Sequence, residues 1–253
     1  MAQLLARRPG ALVPPAELLE RTSSPTPADF RAAGPLILTC CRLGGLRPSD
    51  RFLDIGCGVG RAAVPLTGVL VAPGSYTGVD VWPAGVAWCT SAIAARHPHF
   101  TFVPLDLHHR ELNPAATTPI TAARLPFDDA VFDFALLGAI NHLTAAELRA
   151  LVAEAGRVLC PGGTYVGTWF LADDPTDPAL PPAAVGLACT EAEMEGALAA
   201  GGLRLRALHQ GGWRARESLL HQDLVIAEKT VTTDSSADGP TAAGRGQHGG
   251  GRR

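Results

Sequence analysis

Residues 51–55, Arg-Phe-Leu-Asp-Ile, form a short apolar run, and glycines then stand at alternate positions, Gly56, Gly58 and Gly60, before a stretch fit for a helix opens at Arg61. Strand, glycine-rich turn and helix together are the opening unit of a doubly wound sheet. In such sheets ligands lie outside the carboxyl ends of the strands. Glycine there removes the side chains that would keep a ligand away from the backbone. No other segment restricts the possible folds as strongly.

The spacing bears on which ligand is meant. A dinucleotide fingerprint reads G-x-G-x-x-G and sets the pyrophosphate on the helix N-terminus. Counted from Gly56, its third glycine would fall at position 61, which is Arg61. An arginine crowds the close helix–strand contact that the third glycine allows. The pattern in this chain is D-x-G-x-G-x-G, beginning at Asp54.

The rest of the chain alternates strands and helices. Strands are expected over about 51–55, 75–80, 100–105, 131–137, 164–171, 203–209 and 219–228. Helices are expected over about 31–45, 61–70, 84–96, 144–159 and 190–200. Thr144 reads as an N-cap, with Leu148, Leu151, Val152, Ala155 and Leu159 on one stripe behind it. Pro65 removes a hydrogen bond inside the second helix. The Pro-rich stretch 107–130 suggests a substrate-facing loop. The expected fold class is α/β: a doubly wound, mainly parallel seven-stranded sheet with an antiparallel terminal hairpin. Residues 1–30 read as an N-terminal arm, partly flexible. Residues 31–229 read as the domain, and 230–253 as a disordered tail without apolar period.

Beyond the glycine turn the motifs resemble the class I S-adenosylmethionine-dependent methyltransferases, in particular a bacterial small-molecule group. Asp54 to Gly60 is similar to motif I of that family. Gly78-Val79-Asp80 ends the second strand, Asp106 the third, and Leu125-Pro126-Phe127-Asp128 approaches the fourth. Val158 to Gly163 leads into the fifth, and Gln222 to Ile226 resembles the closing strand. The resemblance implies S-adenosyl-L-methionine as cofactor, held by Asp54, Gly56, Cys57, Gly58, Asp80, Val81, Trp82, Asp106, Leu107 and Gly138. Asp80 would accept hydrogen bonds from the ribose hydroxyls, Val81 and Trp82 would pack on the adenine, and Asp106 with the Leu107 amide would meet its edge. A carboxylate accepts two such bonds readily. As a strand-end residue Asp80 is expected to carry little of the stability. The family often reads Ser-Val-Phe-Thr-His-Met after the fourth strand; this chain has Gly138-Ala139-Ile140-Asn141-His142-Leu143. His142 is the candidate catalytic base and Asn141 a candidate to orient the acceptor.

Each residue also has a plainer reading. Asp80 and Asp106 could be ordinary turn acids, Asp54 could cap the turn, and His142 could simply lead a helix. His108-His109 reads as a solvated loop pair without a third ligand at metal spacing, so no metal is expected. The net charge of −3 and the lack of a basic stripe give no sign of a nucleic-acid or membrane surface. No signal segment is expected, and the six cysteines, without a C-x-x-C pair, suit a reducing cytoplasm. The expected partner is a small-molecule substrate; the oligomeric state is open. Three functions stand: methyl transfer to a small molecule, at oxygen or else at nitrogen; a cofactor-binding protein of the same fold without transfer, in a structural or regulatory role; and a nicotinamide oxidoreductase, disfavoured by Arg61.

Overall fold

The computed structural model of the chain describes residues 12–138, 140–214, 218 and 220–231. Seven strands form one sheet in the order β3-β2-β1-β4-β5-β7-β6. They are β1 (Arg51–Ile55), β2 (Ser75–Asp80), β3 (Phe100–Pro104), β4 (Phe132–Leu137), β5 (Leu159–Trp169), β6 (Leu203–His209) and β7 (Asp223–Lys229). Strands β1 to β5 pair in parallel, and β7 runs antiparallel to both β5 and β6. The expected hairpin is therefore present, with β7 inserted between β5 and β6 rather than lying at the edge.

Six helices cover the sheet: α1 (Ala16–Leu19), α2 (Pro27–Leu43), α3 (Ala63–Leu66), α4 (Pro83–Cys89), α5 (Ala145–Val158) and α6 (Glu191–Ala200). Three of them start at capping boxes, Thr26/Asp29, Thr144/Glu147 and Thr190/Glu193. In each, the threonine side chain and the acid three residues on satisfy one another's backbone N–H, which fixes where the helix begins. The first box, with Pro27 behind it, starts α2 four residues ahead of expectation, so the expected boundary at residue 30 falls inside a helix. Helix α3 is one turn instead of the ten residues expected. It cannot start earlier because Gly60 has φ +79°, and Pro65 supplies no N–H to extend it. The helix after β2 changes at Thr90 into a π-turn, Thr90–Ala94. Most of the expected tail, from residue 232, lies outside the described residues.

Alternation along β1 divides the core. Leu53 and Ile55 face α5 and α6, among Val79, Leu137, Leu148 and Val152. Phe52 faces α2, α3 and α4. There a ladder of rings crosses four strands: Phe134, Phe52, Tyr76 and Phe100, with successive centroids 5.1, 5.7 and 4.9 Å apart. A third, smaller cluster joins Leu19 of α1 and Phe30 of α2 to Val59 and Trp82. The segment expected as an arm is thus packed, from α1 onward, against the turns that follow β1 and β2.

Register places the functional edge. Ile55 pairs with Val79 and Leu137, and Val79 pairs with Val103. The four strand ends after β1, β2, β3 and β4 therefore open on one side of the sheet. The order in which strands are added reverses between β1 and β4, the position where doubly wound sheets leave a crevice.

Candidate active site

The turn after β1 is held in a shape that glycine alone takes without strain. Gly56, Gly58 and Gly60 have φ of 84°, 53° and 79°. A Cβ on Gly60 would lie 2.6 Å from Ile93, whereas one on Gly58 would meet nothing within 4 Å. Gly60 is thus favoured by its φ and packs close to Ile93, and Gly58 borders open space. Gly85 lets α4 approach the turn, since a Cβ there would stand 2.8 Å from the Gly58 carbonyl.

Asp80 fastens this turn to the next one. One carboxylate oxygen accepts the Gly58 N–H at 2.6 Å, the other the Trp82 N–H at 2.8 Å. Asp80 is 8% exposed. Burial pushes its pKa up, opposed by the two backbone N–H groups and by the charge of His142. The strand-end position does not make Asp80 energetically idle, as the sequence suggested; it satisfies the Gly58 and Trp82 backbone donors, and a carboxylate offers further lone pairs to ligand hydroxyls.

A cleft opens beside these residues. It is lined by Gly56, Asp80, Val81, Leu105, Leu107, His109, His142 and Leu143, with Ile55, Leu137 and Leu151. Apart from Asp80 and the two histidines its side chains are apolar, so any polar group brought in meets one of those three.

The expected site residues fall into two groups. Gly56, Gly58, Asp80, Val81, Leu107 and His142 border the turn or the cleft. Asp54, Cys57, Trp82, Asp106 and Gly138 do not line it. Asp54 lies on the opposite face of β1 and accepts the Tyr76 hydroxyl at 2.5 Å. It neither caps the turn nor reaches the cleft. Burial raises its pKa to about 7, with Tyr76 and Arg61 opposing and Asp80 adding to the rise. The Cys57 side chain sits in the core under Gly78, and burial pushes its thiol pKa well up. Trp82 is 4% exposed, packed with Leu19, Phe30 and Val59, with the Arg21 guanidinium 5.5 Å from its ring centroid. The Trp82 ring is thus seated against α1 and α2 and does not line the cleft. Asp106 is exposed beyond the end of β3. The Gly138 carbonyl accepts the Thr168 hydroxyl at 3.3 Å.

His142 ends a 3-10 turn, Ile140–His142, and is exposed. Asn141, expected to orient an acceptor, accepts instead from the Gln222 amide at 2.8 Å. His109 departs from the solvated pair that the sequence suggested. It is 7% exposed and belongs to the cleft, so the reading of a solvated pair holds for exposed His108 alone. Among the described residues no three His, Cys, Asp or Glu side chains come together as a metal site. Among the same residues no helix is long and apolar enough to cross a membrane.

Comparison with known proteins places this geometry. The family described as "Methyltransferase domain" matches residues 53–167. The phthiotriol/phenolphthiotriol dimycocerosates methyltransferase of Mycobacterium tuberculosis is 36% identical over 123 residues, which is 49% of this chain and 37% of that protein. The probable second enzyme of that name in Mycobacterium ulcerans is 35% identical over 157 residues, 61% of this chain and 46% of its own. Sterol 24-C-methyltransferase erg6 of Schizosaccharomyces pombe is 29% identical over 139 residues, 51% of this chain and 30% of that one. The chain spans less than half the length of these curated relatives. Among solved structures, the cyclase SpnF superposes with a TM-score of 0.57 at 20% identity, covering 81% of this chain and 82% of its own. The Burkholderia thailandensis 1,6-didemethyltoxoflavin-N1-methyltransferase, solved with S-adenosylhomocysteine, gives 0.53 at 20% identity, covering 81% and 80%. At such identities these two likenesses speak for the fold alone.

Proposed function

We propose that this chain, which belongs to the class I S-adenosylmethionine-dependent methyltransferase family, methylates a hydroxyl on a small, largely apolar molecule. One observation carries the reading: Gly56 and Asp80 share a cleft with His142 and His109 among apolar side chains. The glycine turn fits the cofactor, because open space lies at Gly58 and the Asp80 carboxylate stands at the adjoining strand end. Gly56, Gly58, Asp80, Val81 and Leu107 would hold it. When bound, it supplies a methyl group on a sulfonium, already activated toward attack.

The protein's own task is placement and proton removal. The apolar walls take the body of the acceptor and exclude water, which leaves its hydroxyl to the polar side of the cleft. His142 would take the hydroxyl proton as the acceptor oxygen is methylated. Asp80 borders the same cleft as His142. Two relatives are named for methylating phthiotriol/phenolphthiotriol dimycocerosates and sterols, and an apolar acceptor here is in keeping with those names.

The test uses the full chain with methyl-labelled S-adenosylmethionine and apolar phenols and alcohols, with the matching amines alongside. Label should enter the phenols or alcohols. His142→Ala should keep cofactor affinity and lose turnover by roughly a hundredfold or more. The second reading is a cofactor-binding protein of the same fold without methyl transfer. It would show as saturable cofactor binding with no labelled product from any acceptor class.

A further inference from the structure

His109 lies in the loop between β3 and β4 and is held there on every side. Its Nδ1 accepts the backbone N–H of Leu112 at 3.1 Å and of Glu111 at 3.3 Å. Its own backbone exchanges hydrogen bonds with Asn113 at 3.2 and 3.0 Å. The Asn113 amide donates to the Leu107 carbonyl at 3.2 Å, and the Arg21 guanidinium donates to the Glu111 carbonyl at 2.8 Å. The ring has no freedom to swing.

Those contacts decide its chemistry. A ring nitrogen that accepts from two N–H groups must keep its lone pair, so the proton of the neutral ring sits on Nε2. Burial, and then the charge of His142, push the His109 pKa down, which keeps the ring neutral. With Nδ1 bound within its own loop, Nε2 is the nitrogen left to serve the cleft, which the ring lines together with His142. The two ring centroids are 6.0 Å apart and the planes meet at 72°. An oxygen placed between ring edges at this separation can lie within roughly 2.7–3.2 Å of a nitrogen on each side.

We propose that His109 is an acceptor-binding residue, whose Nε2–H holds the acceptor oxygen against His142 and selects oxygen over nitrogen. The proposal rests on reading the cleft as the site of methyl transfer. A hydroxyl oxygen has two lone pairs and one proton. It can accept from His109 with one pair, give its proton to His142 and attack with the other pair. A neutral amine nitrogen has a single lone pair and cannot both accept from His109 and attack. An acceptor body lacking any hydrogen-bond acceptor would strand the Nε2–H in an apolar wall, a cost of roughly 1–3 kcal/mol, or about 5- to 150-fold in affinity.

The experiment titrates the full chain, saturated with S-adenosylhomocysteine, with 4-hexylphenol and with hexylbenzene by calorimetry. Wild-type protein should bind the phenol at least about tenfold more tightly. His109→Phe should bring that ratio close to one while hexylbenzene binds as before. Nitrogen NMR of the wild-type histidines guards against a variant that fails to fold: the His109 Nε2–H resonance should move with 4-hexylphenol and stay with hexylbenzene. A wild-type ratio near one, a ratio unchanged in the variant, or an unmoved Nε2–H resonance would each overturn the proposal. Binding of S-adenosylhomocysteine, measured first, reports separately: its loss would sink the transferase reading and the proposal with it, while its retention beside a flat ratio would sink the proposal alone.

Discussion

Replacing Asp80 by alanine should damage the protein twice. The carboxylate accepts the Gly58 and Trp82 N–H groups at 2.6 and 2.8 Å in a place that is 8% exposed. Its removal leaves two buried donors unpaired, at roughly 1–3 kcal/mol each. Part of that is offset, because burying the carboxylate was itself unfavourable, as the upward push on its pKa indicates. A net loss of about 2–4 kcal/mol follows, a fall in melting temperature on the order of 10 °C for a chain of this size. Asp80→Asn retains one good acceptor and should lose about half as much. Ligand affinity should fall independently, by roughly 1–3 kcal/mol for bonds to a charged acceptor. Thermal melts with and without S-adenosylhomocysteine separate the two effects: the apo melt reports the turn, and the ligand-induced rise reports the contact. An Asp80→Ala protein that melts within about 2 °C of wild type would refute the claim that this carboxylate pins the glycine turn, since that claim rests on the two unpaired donors.

Other outcomes follow from neighbouring groups. Asp54, with its pKa raised to about 7 by burial, keeps a proton in the folded state that the unfolded chain releases near pH 4, so stability should decline as pH rises from about 4 to 7, by up to about 4 kcal/mol. Asp54→Asn, which can still accept from Tyr76, should flatten most of that decline in urea unfolding at pH 5 and pH 8; an unaltered slope would place the titration elsewhere. Gly58→Ala should fold with about 1–2 kcal/mol of strain from its φ of 53° and lose at least tenfold in S-adenosylhomocysteine affinity, because its methyl enters the open space beside the turn; calorimetry showing normal affinity would remove the ligand from that space. Arg157 joins α5 to the loop before β4 through Glu154, Asp129 and the Leu125 and Phe127 carbonyls. Arg157→Ala should cost about 2–4 kcal/mol in denaturant melts, and a cost under 1 kcal/mol would mean that the loop is anchored without it.

The sheet and its functional edge were legible because their signals are local. An apolar run, alternate glycines and an acid at a strand end report the same backbone wherever they fold. Asp80 could be placed from its position two residues past Gly78, and His142 from following β4. What stayed hidden depends on residues far apart in the chain. Trp82 reads as an adenine platform until α1 and α2 bring Leu19 and Phe30 over it. Asp54 reads as a turn or cofactor residue until β2 presents the Tyr76 hydroxyl. His109 reads as solvated because the Leu112 and Glu111 amides that claim its Nδ1 exist only once the loop has closed. The position of β7 between β5 and β6 is likewise a choice of pairing that period and composition leave open.

The most direct measurement is calorimetric titration of the full chain with S-adenosylmethionine, and separately with NAD, for wild type and Asp80→Ala. The expected result is saturable binding of S-adenosylmethionine near −8 kcal/mol, roughly micromolar, weakened in Asp80→Ala, with no heat from NAD. Binding of NAD with silence toward S-adenosylmethionine would contradict the assignment of this cleft.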